Sequence, residues 1–191
     1  MAKGLARSLK KTAAQAPSLQ GSEAVTGMSV SHFGDVAMRR SVFTFTDCAL
    51  ALADEAGVVA YAGLKIFDAP EGLIVVIGAS ANLALTKSSA GVNADWDGDF
   101  GLGTVTASNN ATLASTEQNI IPTTATPQAA AGATTAKGES TGVVTLDGTS
   151  TAVDLFLNFL VDDDDHDVTG TACNLIINGS IVIHWCQIGD N

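Results

Sequence analysis

Six consecutive positions, Asp162 to Asp167 in the stretch VDDDDHDV, hold five carboxylates and one imidazole directly after the apolar run LFLNFL. Clustered carboxylates are the chemistry of a calcium site or, inside a pocket, of acid/base catalysis. Successive side chains of an extended backbone point to opposite faces, so adjacent Asp residues cannot converge on one ion without a tight turn. A second group, Asp95, Asp97 and Asp99 in NADWDGDFG, has the alternation that turns three carboxylates to one side. It resembles the start of a calcium loop. The bidentate Glu that such a loop needs downstream is missing, with Asn109, Asn110 and Ala111 near its place. Calcium is the only cofactor these residues raise, and the solvated-turn reading outweighs it at both places, so no metal or other cofactor is expected. VDDDDHDV reads as a wet loop closing a buried strand and as an acidic partner for a basic surface or arm.

Other reactive groups are scattered. His32, His166 and His184 stand at no metal-ligand spacing with a second His or Cys, and His184 beside Trp185 reads as a strand residue. GxSxG, HExxH, a Walker loop and a dinucleotide fingerprint are absent. Cys48, Cys173 and Cys186 form no CxxC pair and, being odd in number, no complete disulfide framework; buried free thiols are expected. No catalytic residue is assigned, and the chain reads as a protein that is not an enzyme.

The charge is unevenly spread. Residues 1–40 carry a balance of +4 and residues 41–191 a balance of −15, within a total of −11. An acidic body repels nucleic acid, which needs clustered Lys and Arg on one face. No apolar run approaches the roughly 20 residues of a membrane-spanning helix. The opening MAKGLARSLKK has the basic flank of a signal peptide without an apolar core behind it, which predicts an intracellular product. Residues 1–27 hold few large apolar groups and read as an N-terminal arm. On a helix Lys3, Arg7, Lys10 and Lys11 would gather on one side, so these four are the candidate partner-binding residues. A frayed, solvated terminus and a docking arm are equally compatible with that composition.

From residue 28 the pattern changes to short apolar runs rich in Val, Ile, Phe and Thr, separated by Gly, Asn, Asp and Pro. In VFTFT (42–46) Phe43 and Phe45 share one face, as a half-buried strand requires. TDCALALADEAG is the one stretch read as a helical turn or two. LIINGSIVIHW (175–185) is either a hairpin at its Asn-Gly or one strand bent at Gly179. Between Thr104 and Thr151 thirteen of 48 residues are Thr, and this predicts long Thr/Ala-rich loops over about 104–141, with 120–140 as a second contact surface. The fold expected is all-β: a jelly-roll-like β-sandwich domain over residues 28–191, with an extended basic arm over 1–27.

Five phrases in order along the chain, FDAPEGLIVVIGA (67–79), ADWDGDFGLGT (94–104), EQNIIPTT (117–124), LNFLVDDDDHD (157–167) and GSIVIHWCQIGD (179–190), resemble virion structural proteins of tailed bacteriophages, in particular their head decoration or cement proteins. The similarity covers residues 40–190, about four fifths of the chain; the extended DDDDHD run departs from it. The resemblance implies a non-enzymatic jelly-roll-like subunit, made in the host cytoplasm and placed as a homotrimer on the outer surface of the head, where its partner is the major capsid protein. Two other classes remain. One is a tail or fibre component binding a receptor or glycan through Tyr61, Trp96 or Phe100, and the weaker one is a calcium-dependent hydrolase or adhesin.

Overall fold

A computed structural model describes residues 25–34, 38–55, 59–108, 110–162, 168 and 173–189. Residues 1–24 of the arm and residues 163–167 of the DDDDHD run lie outside these. Among the described residues there are ten strands and no helix: β1 (Met28–Gly34), β2 (Arg39–Glu55), β3 (Val59–Asp68), β4 (Gly72–Lys87), β5 (Gly98–Gly103), β6 (Ile121–Thr126), β7 (Ala133–Glu139), β8 (Val144–Gly148), β9 (Asp154–Asp162) and β10 (Cys173–Gly189). Every pairing is antiparallel, in the order β6-β5-β9-β3-β2-β10-β4-β7, with β1 on β2 and β8 on β4. β2 bends the path. Its first part pairs with β1 and β10, and its last residues, Ala53 to Glu55, pair with β3. β1, β2, β10, β4, β7 and β8 thus form one layer and β3, β9, β5 and β6 the other. β6 lies against β7, the strand at the far end of the path, so the sheet is nearly closed.

The segment read as helical, TDCALALADE, is strand instead. Cys48, Leu50 and Leu52 are buried while Ala49 and Ala51 are exposed, which is a period of two. What obscures it in the sequence is a bulge. Phe43 and Phe45 point inward at odd positions, Cys48 and Leu50 at even ones, and the change of phase needs one extra residue. The ladder to β10 passes from Phe45↔Gly179 to Cys48↔Ile177, leaving Thr46 and Asp47 opposite Asn178 alone. Asp47 takes a positive φ of 48° there; its N–H donates to Asn178 Oδ1 at 2.9 Å and Asn178 Nδ2 donates back to its Oδ1 at 3.2 Å. LIINGSIVIHW is therefore one bent strand and not a hairpin. Gly179 has φ 119°, and a Cβ there would meet the Asn82 carbonyl oxygen at 2.2 Å, so glycine serves the bulge. A second phase change, at Ile77, moves the buried set of β4 from Ile74 and Val76 to Ala79, Ala81, Leu83 and Leu85.

The main core fills the space between the layers. Phe43, Phe45, Phe67, Phe100, Phe159, Trp96 and Trp185 are all buried, each worth about 1.5–3 kcal/mol on transfer from water. β9 is buried on both faces: Leu155, Leu157, Phe159 and Val161 face this core, while Leu160 joins Val59, Ala107 and Leu113 in a smaller cluster. The cover over that outer face is the segment from residue 104 to 120. The Thr-rich stretch read as long loops over 104–141 is thus divided: its later part forms β6 and β7, because β-branched Thr suits a pleated surface, while the chain before β6 and the link at 127–132 are irregular.

Candidate functional site

The outward face of the larger layer is set by register. One row across five strands reads Ser29, Thr44, Ser180, Asn82 and Lys137, and the next reads Ser31, Val42, Val182, Ser80 and Glu139. Five strands span about 19 Å at the usual spacing. One lysine and one glutamate cancel over these ten positions, so the two rows form a patch of small, mostly uncharged side chains on a chain of net charge −11, with Arg40 beside Phe33 in the next outward row. A shallow depression of about 220 Å³ lies on it, between Ser80, Asn82, Lys137, Glu139, Ser180 and Val182. Its groups can donate and accept hydrogen bonds and cover modest apolar area, which is the chemistry of surface contact.

The irregular cover of the smaller layer is held by a buried polar network. Asn158, fully buried on β9, accepts from the Ala107 N–H at 2.8 Å and donates to the carbonyls of Val105 at 2.8 Å and Glu117 at 2.7 Å. Glu117, 3% exposed, accepts from Ser108 Oγ at 2.9 Å and from the Ala114 N–H at 2.6 Å. Gly103 permits the close approach, since a Cβ there would lie 2.3 Å from the backbone at Thr116 and Glu117. The carboxylate of Glu117 is therefore committed to organising the chain around it. Asn158 stands in LFLNFL as one polar residue in an apolar run, the only hint of this network in the sequence.

Lys3, Arg7, Lys10 and Lys11 lie outside the described residues, as do Asp163 to Asp167. Asp95 is exposed in a turn, and Asp97 and Asp99 are half-buried at the start of β5. Among the described residues no three His, Cys, Asp or Glu side chains gather as a metal site would require. Burial, with the charge of Asp97 added, raises the Asp99 carboxyl above the usual carboxylate range. Trp96 is 1% exposed and Phe100 fully buried, so both rings pack in the core and neither offers an open face for stacking. Trp96 turns inward because its indole N–H finds the Gly132 carbonyl at 3.1 Å. Tyr61 is half-buried against the smaller cluster. Cys48 and Cys173 are buried, as expected, while Cys186 is half-buried.

At one end of the larger layer is a group that the sequence reading missed. His32 Nδ1 and the Trp185 indole N–H both meet Ser41 Oγ at 2.9 Å, and the guanidinium of Arg39 lies over the Trp185 ring, 5.2 Å from its centroid. Trp185 N–H must donate to Ser41, which leaves the hydroxyl proton free to point at His32 Nδ1. Burial and, secondarily, the Arg39 charge hold the His32 imidazole below its ordinary pKa, consistent with that neutral tautomer. No protein-family model, curated protein or solved structure matches the chain.

Proposed function

We propose that the protein is a non-enzymatic virion structural protein of a tailed bacteriophage, a cement subunit that binds the outer surface of the head and bridges neighbouring capsid subunits. The observation that carries this reading is the mostly uncharged patch on the outer face of the larger layer. On a strongly acidic chain, such a patch is where copies and partners meet with least repulsion. The order of the five phrases supports the same class, and the nearly closed two-layer sheet is compatible with a jelly-roll-like subunit assembling as a homotrimer. The basic residues Lys3, Arg7, Lys10 and Lys11 supply the complementary charge for a neighbour's acidic surface. Many modest contacts repeated over a shell would strengthen it without any single tight site.

The test uses heads lacking this protein and the purified full chain. Addition of the chain is expected to fill the outer surface and to raise the temperature at which the heads rupture. A chain lacking residues 1–20 is expected to stay folded and to occupy fewer positions. Absence of binding by the full chain, together with a specific hit on a glycan array, would replace this reading with that of a tail or fibre receptor-binding component.

A further inference from the structure

Among the described strands β1 pairs with β2 alone, so it is attached along one side. The Thr46 N–H donates to the Gly27 carbonyl at 2.8 Å, which makes Ser29↔Thr44, Ser31↔Val42 and Phe33↔Arg40 the hydrogen-bonded pairs that follow. Met28, Val30 and His32 stand at the pairs between, where opposed side chains come closest. All three are half-buried on the inward side: Met28 and Val30 pack on the main core, and the His32 ring lies 5.8 Å from that of Phe67 between centroids. Of these three anchors His32 is the one that changes charge near neutral pH.

This anchorage requires the neutral ring. Ser41, fully buried opposite His32 on β2, accepts the Trp185 indole N–H and gives its own proton to His32 Nδ1, both at 2.9 Å. A protonated imidazole carries a hydrogen on each nitrogen, so Nδ1 turns from acceptor to donor. Two donors then meet one oxygen, and the Ser41 proton loses its acceptor in a site closed to water. The charge itself is opposed as well. Of the elements packed on His32, β2 brings the Arg39 guanidinium, 8% exposed, on the same inward side, β10 brings the uncharged Trp185, and β3 brings Phe67. The charged groups of β3 beside Phe67, Lys65 and Asp68, are paired with each other, while Arg40 over Phe33 and the exposed His184 belong to the outward face. We propose that His32 makes β1 an acid-released edge strand, in which protonation of the ring breaks its bridge to Ser41 and favours separation of Met28–Gly34 from β2 while the rest of the sheet stays folded. Release opens the β2 edge along Arg39 to Phe45, a row of backbone groups able to pair with another strand. Burial and the Arg39 charge make His32 harder to protonate on the closed strand than on a released one, whose ordinary value is 6.5. Closure is therefore strongest above 6.5 and weakens as pH falls through the lower value of the closed strand. This inference concerns the isolated chain and does not depend on the virion reading.

The test is amide hydrogen exchange of the full chain at about pH 7.5 and about pH 5, corrected for the intrinsic pH dependence of exchange, together with an NMR titration of His32. On acidification the protection of β1 is expected to fall about five- to tenfold while that of β4 and β10 is retained, and His32 is expected to titrate below 6.5. His32→Asn, which keeps an acceptor for Ser41 and carries no charge, is expected to abolish the fall. No fall in β1, an equal fall in His32→Asn, an equal fall across β1, β4 and β10, or a His32 that titrates at or above 6.5 would overturn the proposal. Were His32→Asn to leave β1 unprotected at both pH values, the comparison of β1 with β10 and the His32 titration in the unaltered chain would still decide.

Discussion

Burial sets the chemistry of the Asp99 carboxyl, half-buried at the start of β5. Its proton is retained in the folded chain at pH values where the unfolded chain has released it, because burial and Asp97 raise it above the ordinary 3.8. A group shifted in this direction contributes stability that is full below the unfolded value and lost as pH rises through the folded one. Replacing it by Asn removes the ionisation while keeping its size. Asp99→Asn is therefore expected to melt at a higher temperature than the unaltered chain near neutral pH, with the gap closing as pH falls below 3.8. A gap that is independent of pH would mean that charge at this position does not limit stability.

At the scale of elements, the irregular segment from 104 to 120 depends on one side chain of β9. Asn158 satisfies one backbone donor and two backbone acceptors of that cover, all remote in sequence. Truncation would leave these groups buried and unpaired, at roughly 1–3 kcal/mol each before relaxation. Asn158→Ala is expected to cost about 3–5 kcal/mol in denaturant unfolding and to speed amide exchange across residues 104–120 far more than in β2, β4 or β10. Uniform acceleration would place Asn158 in the global core instead. The ion pairs of Lys65 with Asp68 at 2.6 Å and Asp154 at 3.0 Å, partly exposed, clasp the ends of β3 and β9 and add little by comparison.

For the whole molecule, the mostly uncharged patch on the outer face is the feature with the largest reach. Thr44 and Asn82 are exposed on it in one cross-strand row with Ser180 between them, so both accept a charge without disturbing the core. If copies meet through this face, a chain carrying Thr44→Glu and Asn82→Glu is expected to run as a monomer in light scattering under conditions where the unaltered chain runs as a trimer, with its melting temperature preserved. A doubly substituted chain that keeps the trimer mass would move the contact to another surface.

Much of this was legible in the sequence, and the limit is physical. Alternation in VFTFT, the Val/Ile/Thr runs between turn residues, and the scarcity of charge determined an all-β chain able to bury one large core. Strand phase is a local property that the side chains of each run declare by themselves. Which of two faces is buried, and where the phase changes, depends on residues far away in sequence. Asn178 decides the bulge at Asp47, Gly132 turns Trp96 inward, and the cover over β9 explains the asparagine in LFLNFL. The burial of Arg39 was equally invisible, since a basic residue at a strand start reads as solvated. Only the tertiary structure lays it over Trp185, because burial arises from packing between strands and is written in no single stretch of chain.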